Sequence, residues 1–262
     1  MQIITPIILE KSNGIAEITL NRPLKCNALN GELITAIATA LKQILADSTM
    51  RVLIIRGAGD HFCAGGDLQW MQTVVTNGAD SNYQDALSLA NCLYQLHTFP
   101  LPTLALVQGR ALGGGAGLLC VCDIVIADKG ASFGFPEVKI GLAPSTISPY
   151  VLAAIGERLA RYYFLTGALF SAEEAKQMGL VHIISKKETL LEEGRLLAGQ
   201  LLKNGPDALI KTKALLSRMT NEKITPDIGK ITALHLAELR ASKEAGEGLK
   251  AFLEKRLPAW SV

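Results

Sequence analysis

The chain opens on two β-type runs, Ile7-Ile8-Leu9-Glu10 and Ile15-Ala16-Glu17-Ile18-Thr19-Leu20, flanking Ser12-Asn13-Gly14. An Asn-Gly pair between such runs predicts a hairpin. Apolar residues then recur at helical spacing (Leu33, Ile37, Leu41, Ile44, Leu45), with Glu32, Lys42 and Gln43 on the other face. That spacing predicts a helix capped by Asn30 and running to about Asp47. The alternation continues with a strand at Val52-Leu53-Ile54-Ile55, a Gly-rich loop, a helix near Tyr83 to Leu96 and a strand at Leu104-Ala105-Leu106-Val107. A Gly-rich entry to an apolar helix follows, then a strand at Ile124-Val125-Ile126 and a loop ending in Pro136-Glu137. Strands alternating with helices predict an α/β fold with crossover connections.

Ser171-Ala172-Glu173-Glu174 has the form of a capping box opening a short helix, and Val181-His182-Ile183-Ile184 predicts one more strand. Beyond Lys186 only helical patterns occur, with Gly205-Pro206 and Thr225-Pro226 placed as helix starts. The chain is therefore expected to divide into a body, residues 1–200, and a C-terminal helical region, residues 201–262, packed on the body or on a neighbouring subunit.

The composition, 49% hydrophobic and 19% charged over 262 residues, supplies a substantial core without disulfides or metals. The net charge of +2 is spread through the chain, so neither nucleic acid nor an anionic membrane is an expected partner. Arg110, Asp123 and a Gly cluster interrupt the apolar tract from Thr103 to Ala127, which favours buried strand, helix and strand over a membrane span. The first residues show neither a secretory nor a transit pattern, and the expected location is the cytoplasm. Cys26, Cys63, Cys92, Cys120 and Cys122 are scattered and read as buried thiols. His61, His97, His182 and His235 lack ligand spacing, so no metal is expected. Asp123 reads as a structural residue at a helix–strand junction, and Ser145 and Ser148 stand outside any nucleophile-elbow sequence.

The chemistry concentrates on glycines. Gly113-Gly114-Gly115 lie between a strand and a helix, where unpaired backbone N–H groups and the positive end of a helix dipole suit an anion or oxyanion. A second turn, Phe62-Cys63-Ala64-Gly65-Gly66-Asp67-Leu68, occupies the same strand-to-helix position one unit earlier. If the N–H groups of Gly66 and Gly114 converge, they form a two-donor oxyanion hole. The dinucleotide-binding alternative fails on spacing, because Gly113, Gly115 and Leu118 do not complete G-x-G-x-x-G.

In order and spacing, Asn21-Arg22-Pro23…Asn27-Ala28-Leu29, Phe62-Cys63-Ala64-Gly65-Gly66-Asp67-Leu68, Gly109-Arg110-Ala111-Leu112-Gly113-Gly114-Gly115 and Phe133-Gly134-Phe135-Pro136-Glu137-Val138 resemble the crotonase (enoyl-CoA hydratase/isomerase) superfamily. The resemblance extends to Phe252-Leu253-Glu254-Lys255-Arg256. It implies a spiral of ββα units with a C-terminal helical trimerisation region, assembled as homotrimers or as hexamers made of two trimers. It implies an acyl-CoA substrate, with coenzyme A present only as part of that substrate and no permanently bound cofactor. The thioester carbonyl would lie between the N–H groups of Gly66 and Gly114. CoA would contact Lys25, Ala28, Ala64, Asp67 and Leu68, and Phe252 and Lys255 would reach the CoA of an adjacent subunit.

Hydratases of this superfamily carry two glutamates. Glu137 stands at the second position, but the first is occupied by Gly117, expected to leave room for solvent or a bulkier acyl group. One carboxylate must then handle the protons, as in many isomerases of the family. Conversely, the run Ile140-Gly141-Leu142-Ala143-Pro144-Ser145-Thr146-Ile147-Ser148-Pro149-Tyr150 is similar to bacterial methylglutaconyl-CoA or geranoyl-type hydratases of branched-chain degradation. The expected activity is hydration of a 2-enoyl-CoA, with Δ3-Δ2-enoyl-CoA isomerisation as the alternative. A non-catalytic RNA-binding or scaffold relative is disfavoured by the lack of a basic face and by aromatics at 5%. Arg110 and Tyr150 are candidates for contact with a polar acyl tail.

Overall fold

The computed structural model describes residues 5–220 and 222–261. Its strands are β1 (Ile7–Ser12), β2 (Ile15–Leu20), β3 (Val52–Gly57), β4 (Thr103–Val107), β5 (Arg110–Leu112), β6 (Ile124–Asp128), β7 (Ser132–Gly134), β8 (Leu169–Ser171) and β9 (Ile183–Ser185). Its helices are α1 (Gly31–Leu45), α2 (Leu68–Thr76), α3 (Ala79–His97), α4 (Gly114–Cys120), α5 (Ser148–Thr166), α6 (Ala172–Gln177), α7 (Leu190–Leu202), α8 (Pro206–Met219), α9 (Pro226–Arg240) and α10 (Lys243–Leu253).

The Asn13-Gly14 turn, with φ of 49° and 79°, has the left-handed backbone that a two-residue hairpin loop requires, and it sets Ile7 opposite Leu20. From β2 onward the large sheet is parallel, in the order β1-β2-β3-β4-β6-β9. A small sheet, β5-β7-β8, stands apart from it. The chain steps from large sheet to small sheet to helix in β4–β5–α4 and again in β6–β7–α5, which is the expected ββα spiral.

Parallel strands covered on both faces read as continuous apolar runs. In β3, Val52 and Ile54 face Leu190 and Ala198 of α7, while Leu53 and Ile55 face the larger core that includes Leu33 and Ile37 of α1 and Leu93 of α3. Thus α7, which ends at Leu202, packs on the large sheet, and residue 200 lies within it. Helices α8 and α9 bury no residue, and α10 buries only Ala251. Their exposed apolar side chains include Leu216, Leu234, Leu249, Phe252 and Leu253.

Helix starts follow their local chemistry. Asn30 accepts from Leu33 N–H, Ser171 and Glu174 close a reciprocal capping box, and prolines open α8 and α9. Asp123 accepts from the backbone N–H and hydroxyl of Thr103, at 2.8 and 2.9 Å, and from Lys213 Nζ at 2.6 Å. It therefore ties the starts of β4 and β6 to α8, as a structural residue should. Among the described residues no helix is long and apolar enough to cross a membrane.

Asn27 fastens the loop leading into α1. It is fully buried at φ 54°; its Nδ2 donates to Ala58 O and His61 O at 2.9 and 2.8 Å, and its Oδ1 accepts from Arg22 N–H at 2.8 Å. Replacing it with alanine strands three part-buried backbone groups, where a fully buried group left unpaired costs about 1–3 kcal/mol. Asn27→Ala is expected to destabilise the fold by about 3 kcal/mol, read as a Tm loss of roughly 6–12 °C. A loss under about 1 kcal/mol in denaturant titration would show that the clamp carries no weight.

Candidate active site

The Cys63–Asp67 loop threads between two neighbours. At one end Cys63 N–H donates to Arg110 O and Leu112 N–H donates to Cys63 O, an isolated parallel bridge across Ala111. At the other, Leu29 N–H donates to Gly65 O at 2.7 Å and Asp67 N–H donates to Leu29 O at 2.8 Å. Alternation along an extended segment then turns the N–H of the intervening Gly66 away from Leu29. Gly66 is exposed, and among the described residues its N–H donates no hydrogen bond.

Gly113, at φ 51°, donates to Gly134 O and turns the chain into α4. Gly114 is the first residue of that helix, so its N–H has no intrahelical acceptor, and it donates to no other group among the described residues. Leu29 joins the two glycines: it bridges Gly66, and a Cβ on Gly114 would lie 2.9 Å from Leu29 Cδ1. A Cβ on Gly115 would overlap the Cys63 carbonyl oxygen and come within 2.8 Å of Cys63 Sγ, so only glycine lets the loop reach the helix.

Glu137 stands on a short 3₁₀ turn, Pro136–Ile140, packed against α5. A Cβ on Gly113 would lie 2.8 Å from Glu137 Oε1, which places the carboxyl against the residue preceding Gly114. Glu137 Oε2 is buried and has no hydrogen-bond partner among the described residues. Burial pushes this carboxyl above the usual glutamate range, with a hydrogen bond from its own backbone opposing the shift.

The space beside Gly117 is not open, contrary to the expectation from sequence. A Cβ on Gly117 would overlap Ile147 Cγ2 and lie 3.0 Å from Ile147 Cβ, and Ile147 is only 1% exposed. The volume next to Gly117 is occupied by a hydrocarbon side chain from the N-cap of α5.

The residues assigned to CoA fall into two groups. Lys25, Ala28, Ala64, Asp67 and Leu68 lie on the interlocked loops, where Ala64 N–H donates to Cys26 O and Lys25 Nζ donates to Gln69 Oε1 at 2.9 Å. Asp67 is already committed: it caps α2 through Gln69 and Trp70 N–H and pairs with Arg22 at 2.8 Å. Burial pushes its carboxyl upward, but the Arg22 and backbone hydrogen bonds outweigh that and hold it below the usual range. Arg22 also donates to Ala28 O and so fastens both loops, a role that its place in Asn21-Arg22-Pro23 signals only as part of a motif. Leu68 is exposed. Phe252 and Lys255 are exposed at the C-terminal end of α10, and among the described residues no hydrogen bond or ion pair links either to these loops.

Other candidates have structural roles. His61 Nδ1 accepts from Arg110 N–H, His182 Nδ1 accepts from Val125 N–H, and His97 packs on Tyr150 with ring centroids 5.2 Å apart. Ser148 Oγ donates to Ser145 O within a turn. Burial pushes the thiols of Cys63, Cys92 and Cys120 up to about 12, so they are unreactive. No cluster of three or more metal-ligating side chains occurs among the described residues.

The sequence model of the enoyl-CoA hydratase/isomerase family matches residues 10–262. The crystal structure of an enoyl-CoA hydratase from Shewanella pealeana superposes with a TM-score of 0.94 at 37% identity, covering 99% of this chain and 97% of that one. The crotonyl-CoA hydratase of Syntrophomonas wolfei is 34% identical over 95% of both chains. The 2,3-dehydroadipyl-CoA hydratase of Escherichia coli is 30% identical over 96% of this chain and 97% of its own length. With a match that runs from β1 through the C-terminal helices and includes both glycine turns, the chain belongs to the enoyl-CoA hydratase/isomerase family.

Proposed function

We propose that the protein hydrates a 2-enoyl-CoA thioester, with Gly66 and Gly114 N–H groups holding the thioester oxygen and Glu137 as the single acid–base group. The observation that carries this reading is the Glu137 carboxyl lying against Gly113, next to the free N–H of Gly114. Water attacks the β-carbon as the Glu137 carboxylate takes its proton. Electron density moves through the double bond onto the thioester oxygen, giving an enolate held by the two N–H groups, each worth about 3–4 kcal/mol in comparable sites. The protonated Glu137 then returns its proton to the α-carbon, restoring the carboxylate. Binding falls to the loop residues Lys25, Ala28, Ala64 and Leu68, with Asp67 positioning them through Arg22.

A second reading, Δ3-Δ2-enoyl-CoA isomerisation, is favoured by one observation, Ile147 filling the place of the other carboxylate. There Glu137 removes a proton from the α-carbon and returns it to the γ-carbon, and no water enters. The relatives' names, crotonyl-CoA and 2,3-dehydroadipyl-CoA hydratase, support hydration as the first reading. The run from Ile140 to Tyr150 supports a branched acyl group of the methylglutaconyl type. Incubating the protein with crotonyl-, 3-methylglutaconyl- and 3-enoyl-CoA thioesters and following the enoyl absorbance separates the two reactions.

Glu137→Gln preserves shape but cannot take a proton. It is expected to lower kcat about 10²–10⁴-fold with little change in KM. Retention of more than about a tenth of wild-type kcat would overturn the assignment. The same variant tests the burial of the charge. A carboxyl whose folded pKa is raised favours the fold while protonated and loses that contribution as pH rises through its folded pKa. Glu137→Gln should therefore melt above wild type at neutral pH, with the advantage vanishing below the ordinary glutamate range. An advantage independent of pH would rule out desolvation as its cause.

The proposed assembly is a trimer or a pair of trimers, supported by the apolar side chains that α8, α9 and α10 leave exposed, among them Leu216, Leu234, Leu249, Phe252 and Leu253. In that assembly Phe252 and Lys255 reach a neighbour's CoA. Light scattering should give a mass of three or six chains. A monomer at micromolar concentration would remove both this assembly and the neighbour contact.

A further inference from the structure

Gly113 is the N-cap of α4 and its carbonyl oxygen accepts from Gly117 N–H at 2.9 Å, so the two glycines lie one turn apart at the start of that helix. Against the first sits the Glu137 carboxyl, with Oε1 2.8 Å from the Cβ position, and against the second sits Ile147. The two side chains reach the first turn of α4 from different segments, one from the 3₁₀ turn and one from the N-cap of α5. We infer that Ile147 is a positioning residue for Glu137: seated on Gly117, it takes the space of a second carboxylate and shields one side of the acid–base group from water.

No charged group competes with this account. Helix α4 carries no charged residue, and its one titratable side chain is the partly buried Cys120 thiol. From α5, Tyr150 packs on His97, Tyr163 on Phe170, and Glu157 pairs with Arg161 in solvent, while Arg158 is exposed. On the turn itself, the Lys139 side chain lies along Gly167. In the neighbouring loop Asp67 is held by Arg22. Burial is the cause of the raised carboxyl pKa, and in this proposal the branched aliphatic side chain one turn away contributes to it.

A glycine at 117 and a bulky residue at 147 are thus a matched pair. A carboxylate on α4 requires a small residue at 147, and an isoleucine at 147 requires glycine at 117. The catalytic consequence rests on the hydratase reading, but the seat of Ile147 and its effect on Glu137 do not.

The test is a set of exchanges in the full-length protein. Gly117→Ala should lower Tm, and adding Ile147→Ala should recover part of that loss, a coupling that unrelated sites do not show. With Ile147→Ala alone, and in smaller measure with Ile147→Val, which keeps most of the packing, the stabilising effect of Glu137→Gln at neutral pH should shrink. If the enzyme turns over an enoyl-CoA, the acid limb of its kcat profile should move to lower pH in the same variants, with KM changed less than about threefold. Gly117→Glu with Ile147→Gly should raise the ratio of hydration to isomerisation at least about tenfold. Additive melting effects, or a Glu137→Gln effect unchanged by Ile147→Val and Ile147→Ala, would overturn the inference. Absence of turnover on every enoyl-CoA with the melting coupling intact would instead overturn the hydratase reading and leave the pairing standing.

Discussion

Everything in the site depends on how closely the Cys63–Asp67 loop approaches the N-terminus of α4. The contact between Cys63 and Gly115 leaves no room for a side chain at 115, and Gly65 makes its turn at φ 98° with its Cβ position 3.0 Å from Leu112 O. Any residue but glycine would push the loop off the helix. The consequence is chemical, because two backbone N–H groups that sequence places 48 positions apart (114 − 66) become neighbours through Leu29. A donor built from backbone is fixed by the fold itself and needs little reorganisation when charge develops on an oxygen. Asn27 and Arg22 hold the remaining loop in the same way, with side chains bonded to backbone carbonyls across the gap.

Against that rigid frame the carboxyl of Glu137 is held at a cost to stability. One of its oxygens is buried and unpaired, which a fold selected for stability alone would avoid. A group that must accept and return a proton at neutral pH benefits from a pKa raised toward it, and burial provides the shift without a second charge nearby. The unsatisfied oxygen and the two free N–H groups border the same strand-to-helix turn. Groups left unpaired together at one place mark where a ligand completes the hydrogen bonding.

Much of this was legible in the sequence because it rests on local rules. The Asn13-Gly14 hairpin, the Asn30 cap, the Ser171 capping box and both proline starts of α8 and α9 appear where short-range chemistry puts them. The strands β5, β7 and β8 escaped because three residues hold barely one period of alternation, and their pairing is set by segments far along the chain. Helix α5 was hidden for another reason: Gly156, at φ 76°, breaks it, so no single helical period runs from Ser148 to Thr166. Helix α2 begins at Leu68, inside what reads as glycine-rich loop, and its cap, Asp67, looked like a ligand contact. The resemblance pointed to the glycine turns and to Glu137, whereas nothing in the sequence pointed to the occupant of the Gly117 space. Residues 117 and 147 are joined only by packing, and a glycine in a sequence does not say what fills the volume it gives up.

That last point bears on how one frame can serve more than one reaction. The proposed oxyanion donors are backbone groups, so they persist through changes of side chain as long as the glycines remain. The proposed acid–base side draws on three separate segments: α4, which gives up its volume at Gly117, the Pro136–Ile140 turn and the N-cap of α5. Exchanging a carboxylate on α4 for a hydrocarbon from α5 alters the proton inventory and the access of water without moving Gly66, Gly114 or Glu137. In the proposed mechanism enolate stabilisation is common to hydration and isomerisation, and the volume above Gly117 bears on the choice between them. In this chain that volume is apolar and filled, which fits the proposed hydration with Glu137 as the single group that handles the water's proton.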